Sequence, residues 1–209
     1  MTPVTSLLAL DYASVFVFAL TGALTASRAQ LDVVGFIFVA CLTAVGGGTV
    51  RDVILDRGVF WVTEPSFILV AYGVAFFVFF TAHVLESRLK AIFWLDAAAL
   101  AVAVPAGVGA ALAVGVAWPI VIIMGIATGC FGGLMRDVVC NEVPLVLKQG
   151  ELYVTCALMG AAAALGVMAL GQPVEMALVA CAIVTFVLRG GSIAFGWRLP
   201  VYKSRPPRG

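Results

Sequence analysis

Gly46-Gly47-Gly48-Thr49-Val50-Arg51-Asp52-Val53 and Phe131-Gly132-Gly133-Leu134-Met135-Arg136-Asp137-Val138 are two copies of one motif, each set inside a long apolar stretch. Consecutive glycines remove side-chain packing and favour a kink or unwound turn. A charge at membrane depth costs several kcal/mol unless it is paired, hydrated or able to reach the interface. The motif therefore combines a helix breaker with an ion-pair-capable dipeptide, twice, where hydrocarbon tolerates neither alone.

The surrounding composition supports this setting. The chain has 209 residues, 63% hydrophobic and 11% charged, with a mean hydropathy of +1.15, whereas soluble domains carry about 25% charged residues. This is an all-α polytopic membrane protein, a single membrane domain over residues 1–209. A net charge of +1 says nothing about nucleic acid, no basic stripe with interleaved aromatics points to it, and no nucleic-acid partner is expected. The lipid bilayer, ions or small solutes are the expected partners. The first fourteen residues lack a basic n-region and carry Asp11, so the first apolar segment is expected to remain as a helix. The five cysteines, Cys41, Cys130, Cys140, Cys156 and Cys181, show no metal-ligand spacing and read as small core residues. No cofactor and no fixed metal site is expected.

A spanning helix needs about 20 mostly apolar residues, and charge and turn clusters divide the chain into seven such segments. They run over 8–27, 33–55, 66–83, 92–114, 118–140, 151–170 and 174–193. Trp61, Trp94, Trp118 and Trp197 fall near their ends, as an aromatic belt requires.

The two motifs stand 137 − 52 = 85 residues apart, and the same offset pairs Leu10 with Leu95, Asp11 with Asp96, Gly22 with Gly107, Ala26 with Ala111 and Thr43 with Thr128. A three-helix unit is thus used twice, over 8–85 and 92–170, followed by a seventh helix at 174–193 and a basic tail at 194–209. Because three is odd, the second unit enters the bilayer inverted, and inverted repeats place the functional path at their interface. With the N-terminus outside, only Arg51 and Arg57 of the 12 Lys and Arg fall on the outer side. The positive-inside rule therefore predicts an outer N-terminus and a cytoplasmic C-terminus.

Within this frame the second and fifth spans are expected to be kinked or broken at Gly46–Gly48 and Gly132-Gly133, with half-helix N-termini adding positive potential there. Neighbours on a helix do not face each other, so the expected ion pairs cross the repeats, Arg51 with Asp137 and Arg136 with Asp52. The alternative is that both arginines snorkel to the interface. Gly22 and Gly107 suit close helix packing. Asp11 and Asp96 fit either a favourable helix-dipole contact or a pore mouth. Thr43 and Thr128 either line a polar path or bond back to a carbonyl. His83, beside Glu86 and Arg88, reads as interfacial. No Ser/His or Cys/His constellation, HExxH or P-loop is present, so an enzyme is not expected.

The doubled motif, with the following Val139-Cys140-Asn141-Glu142-Val143-Pro144-Leu145-Val146-Leu147, resembles the prokaryotic trimeric intracellular cation (TRIC) channel family, also grouped as an uncharacterised or "glycine transporter domain" family of inner-membrane proteins. The resemblance implies a multi-pass protein of the prokaryotic inner membrane. It implies a homotrimer of seven-helix protomers, each with its own hourglass pore for monovalent cations, mainly potassium and also sodium. The kinked second and fifth helices would line that pore. Gly46, Gly47, Gly48, Gly132, Gly133, Thr43 and Thr128 would then shape the waist, and Arg51, Asp52, Arg136 and Asp137 would set its field, with Asp11 and Asp96 at the mouths. Two departures stand out: Phe131 replaces a third glycine, where it would narrow the pore, and Pro105 stands in the fourth span, where it would kink the helix or leave the Ala101 carbonyl free. A secondary transporter of glycine or a similar small solute uses the same inverted architecture and is the alternative. A purely structural assembly would not need paired intramembrane charges.

Overall fold

The computed structural model describes residues 3–84, 88–148 and 152–200. Glu86 and the part of the basic tail beyond residue 200 lie outside them. The described residues form α1 (Pro3–Arg28), α2 (Val33–Ile54), α3 (Phe60–Thr63), α4 (Ser66–Thr81), α5 (Arg88–Val114), α6 (Trp118–Val139), α7 (Tyr153–Ala169) and α8 (Val174–Phe195), with 3₁₀ turns at Ala82–Val84 and Leu145–Leu147. Five helices (α1, α2, α5, α6 and α8) are long and apolar enough to cross a membrane, and α4 and α7 are shorter apolar helices.

The 85-residue offset extends from residue types to local structure. Helix α2 begins at Val33 and α6 at Trp118; α3 begins at Phe60 and its counterpart turn at Leu145. Both α2 and α6 end in the same way. The N–H groups of Leu55 and Cys140 bond to the carbonyls of Arg51 and Arg136, those of Arg57 and Glu142 to the carbonyls of Asp52 and Asp137. Asp56 and Asn141 then reverse the chain at φ 52° and 54°. Asp and Asn tolerate this left-handed conformation better than other side chains, which explains their place at the corner.

Two cores form, one in each half. Val15, Phe18, Phe36, Val39 and Phe67 centre the first, between α1, α2 and α4. Leu100, Val104, Val121, Tyr153 and Cys181 belong to the second, between α5, α6, α7 and α8. Alanines such as Ala19, Ala23, Ala40, Ala99 and Ala103 are buried between the helices, and small residues allow the close helix approach that membrane packing requires. The halves join where α1 packs on α5 and α2 on α6. Outward-facing Leu69, Phe76, Phe77, Phe80, Val179, Ile183 and Val187 are exposed, as lipid-facing positions should be.

Of the second and fifth spans expected to be kinked or broken, neither is broken: α2 and α6 run as continuous α-helices through Gly46–Gly48 and Gly132-Gly133. The helix hydrogen bonds already satisfy the backbone, and the missing side chains serve contact between helices. Helix α5 likewise continues through Pro105, which is buried.

Candidate functional site

The glycines mark where α2 and α6 cross. A Cβ at Gly47 would collide with the carbonyl oxygen of Thr128, and one at Gly132 with that of Thr43. These reciprocal contacts carry the 85-residue offset in both partners. Thr43 and Thr128 themselves bond back to Val39 and Met124 carbonyls at 2.6 and 2.7 Å. Gly22 and Gly107 make room for those threonines, with a Cβ position only 2.7 Å from Thr43 Oγ1 and 2.5 Å from Thr128 Oγ1. Gly46 receives Met135 Sδ, 2.7 Å from where a Cβ would stand, and Gly48 receives the Phe60 ring at 2.6 Å.

Beyond the crossing, at the ends of α2 and α6, sit the arginines, both 1% exposed. Arg51 donates from Nε to Asp52 Oδ1 at 2.8 Å and from Nη1 to Asp11 Oδ1 at 2.9 Å. Arg136 repeats this with Asp137 at 2.8 Å and Asp96 at 3.0 Å. The expected cross-repeat pairs are therefore not formed. Asp11 near the start of α1 meets the end of α2, whereas Arg28 at the end of α1 pairs with Glu142, just after α6, at 3.2 Å. The two motifs consequently lie at opposite ends of the bundle. Each arginine reaches its own neighbour because the long guanidinium turns its Nε edge back on the carboxylate. Snorkelling is excluded for the same reason, since both guanidinium groups are buried and paired.

Asp52 and Asp137 have a second task. Asp52 Oδ2 accepts the N–H of Phe60, and Asp137 Oδ2 that of Leu145, both at 2.9 Å. Each aspartate thus ties the hairpin after its helix back onto the arginine. Asn at position 52 keeps an acceptor for the Phe60 N–H but loses the charge. Asp52→Asn is accordingly expected to lower the melting temperature in detergent less than Asp52→Ala, which leaves a buried donor unmet at a cost of about 1–3 kcal/mol.

The clusters differ in their surroundings. Asp11 is 20% exposed while Asp96 is 0% exposed. The Arg51 guanidinium lies 5.5 Å from the centroid of the Phe60 ring. Around Gly133, the Tyr153 hydroxyl, Asp96 Oδ1 and Arg136 Nη2 converge at 3.4, 3.5 and 3.8 Å from the position of a Cβ. A small cavity of about 10 Å³ at the first end is lined by Asp11, Ser14, Phe18, Thr43, Gly47 and Thr128, among others. Another of about 10 Å³ at the second end is lined by Arg28, Arg136, Asp137, Glu142 and Lys148, among others. Each has room for about one water. Phe131 is half-buried and lines neither. His83 is exposed at the end of its segment.

Sequence reasoning missed Phe60, Leu145, Ser14, Phe18 and Tyr153 as neighbours of the site. It also missed the pairing rule, although a signal existed: Asp11 to Arg51 and Asp96 to Arg136 are each separated by 40 residues. An offset that pairs both acids and both bases points to bonds within a repeat.

The model of a family described as glycine transporter matches residues 8–83 and again 93–169. The UPF0126 inner membrane protein YadS of Escherichia coli (strain K12) is 35% identical over 199 residues, 92% of this chain and 94% of that protein. A UPF0126 membrane protein of Vibrio cholerae is 36% identical over 95% of this chain and 84% of its own length. Among solved structures, the TRIC trimeric intracellular cation channel orthologue from Rhodobacter sphaeroides superposes with a TM-score of 0.89 at 43% identity, covering 92% of this chain and 99% of that one. A prokaryotic TRIC channel superposes at 0.85 and 26% identity, over 91% and 96% of the two chains.

Proposed function

Since the chain belongs to the TRIC family, that of the UPF0126 membrane proteins and the glycine-transporter family model, we propose that it is a homotrimeric channel for monovalent cations, chiefly potassium, with one pore in each protomer. In this reading α4 and α7 cross the bilayer as well, making seven spans in two inverted repeats plus α8, in the prokaryotic inner membrane with the N-terminus outside. The pore runs past Asp11, Arg51 and Asp52, through the crossing of α2 and α6, and out past Asp96, Arg136 and Asp137.

The observation that carries this reading is the charge count at each end. Two carboxylates face one buried guanidinium in both clusters, a formal excess of one negative charge within each cluster itself, with Arg28, Lys148 and Glu142 added around the cavity beside the second. An arginine alone would repel a cation; flanked in this way, it organises the carboxylates without reversing the sign of the field. The contacts of Gly47 with Thr128 and of Gly132 with Thr43 close the path between two water-sized cavities. Opening then requires α2 and α6 to bend or slide at their glycine runs, which is where kinks would arise.

A transporter of glycine would have to widen these water-sized cavities into a chamber for its substrate, whereas a channel needs only the path between them to open. The discriminating experiment is flux in proteoliposomes made with purified protein. Potassium movement driven by a membrane potential, with no solute added, is expected. Saturable glycine exchange without potassium conductance would sink the channel reading.

A further inference from the structure

Tyr153, at the start of α7, is 1% exposed, yet its hydroxyl has no hydrogen-bond partner among the described residues, and neither has Asp96 Oδ2. An unmet buried donor and an unmet carboxylate oxygen are each costly. These two belong to one place: Tyr153 Oη and Asp96 Oδ1 lie 3.4 and 3.5 Å from the point where a Cβ on Gly133 would stand. We propose that the Tyr153 hydroxyl, directly or through one water, donates to the second oxygen of Asp96 and so masks that carboxylate from an entering cation. Tyr153 is then a positioning residue of the second cluster, a role that rests on the channel reading above.

The first end has the same carboxylate without such a donor. Gly48 is the counterpart of Gly133, since 133 − 85 = 48, and the Phe60 ring fills the space beside it. The counterpart of Tyr153 is Ile68, since 153 − 85 = 68, and Phe67 precedes it; neither side chain can donate a hydrogen bond. Asp11 gives Oδ1 to Arg51 and keeps 20% of its side chain exposed, so water or a cation can reach it. Asp96 likewise gives Oδ1 to Arg136, but it is 0% exposed. Its second oxygen therefore depends on a donor from within the protein.

The ring that carries this hydroxyl is fixed in place. It belongs to the second core, and the Arg189 guanidinium lies 5.0 Å from its centroid. With both oxygens of Asp96 taken by protein donors, the second end has no free oxygen on that carboxylate, whereas Asp11 keeps one. The two ends then attract cations unequally, because local charge sets the rate at which ions enter.

The test is single-channel recording of the purified full chain in planar bilayers with Tyr153→Phe, which keeps the ring and removes only the hydroxyl. Current carried by potassium entering from the second end is expected to rise about tenfold relative to current entering from the first. The gain is expected to shrink between about 0.1 and 1 M potassium chloride, as screening shortens the reach of the carboxylate. Asp96→Asn in the same chain should abolish it. A current ratio unchanged in Tyr153→Phe, or a changed ratio indifferent to salt, overturns the proposal, and both readings stand on Tyr153→Phe alone if Asp96→Asn prevents folding. A wild type that carries no current overturns the channel reading instead. The contact is then judged by denaturant unfolding, in which Tyr153→Phe should lower the folding equilibrium constant about tenfold; an unchanged constant overturns it.

Discussion

Replacing Arg136 by alanine is expected to cost about 3–5 kcal/mol of stability, because it strands two buried carboxylates beside a cavity with room for only about one water. Asp96 is 0% exposed and the Asp137 side chain 5% exposed, and neither has another cation bonded to it among the described residues. For a chain of this length each kcal/mol moves a melting temperature by about 2–4 °C, so the variant should melt roughly 6–20 °C below wild type in detergent. Arg51→Ala is expected to cost less, since Asp11 keeps 20% of its side chain exposed and water can take over part of the bonding. Equal losses for the two arginines would show that the asymmetry in exposure has no energetic weight. Asp96→Asn combined with Arg136→Leu removes the pair together and should recover part of the loss, because a missing pair is far less damaging than a broken one.

The second large effect is steric. Gly47→Ala adds one methyl where the Thr128 carbonyl stands, and Gly132→Ala does so against Thr43. Backbone cannot rotate out of the way as a side chain can, so α2 and α6 must separate. Overpacking of this kind costs about 1–3 kcal/mol and sometimes more, and valine at either position should exceed alanine. Gly73 and Gly166 provide internal controls. Both are helical, and a Cβ on either meets nothing within 4 Å. Alanine there should be neutral or stabilising by up to about 1 kcal/mol. Melting curves for the four alanine variants decide the matter: if Gly47→Ala melts with Gly73→Ala, the helix crossing does not have the closeness described.

The positions of the long helices were legible because a hydrophobic stretch and its charged flanks leave little freedom. Val33–Ile54 and Trp118–Val139 fall within one residue of the segments read from hydropathy alone. The repeat was legible from Asp11, Arg51 and Asp52 recurring as Asp96, Arg136 and Asp137. Other features were not. Phe60–Thr63 is four residues long, too short to show a period, and it is tied down by a side chain eight positions earlier. The glycines were read by their intrinsic effect on a helix, whereas the facing carbonyls of Thr43 and Thr128 decide their role, and no local rule names a partner so distant in sequence. The ion pairs were misassigned because the rule that adjacent helical residues diverge holds for side chains standing away from the helix. Arg51 and Arg136 instead turn back across it.

Because Arg51 closes on Asp11 and Asp52, all of its anionic partners have been made by the time Asp52 has been synthesised. The first half can therefore enter the membrane with its buried cation already neutralised, before any of α6 exists. Since chains emerge N-terminal half first, no stage of biogenesis has to hold an unpaired arginine in lipid while waiting for a partner from the other half. The second half meets the same requirement alone, with Asp96 preceding Arg136 and Asp137 following it. Expressed as separate polypeptides, the two halves would each carry their own charge compensation into the bilayer.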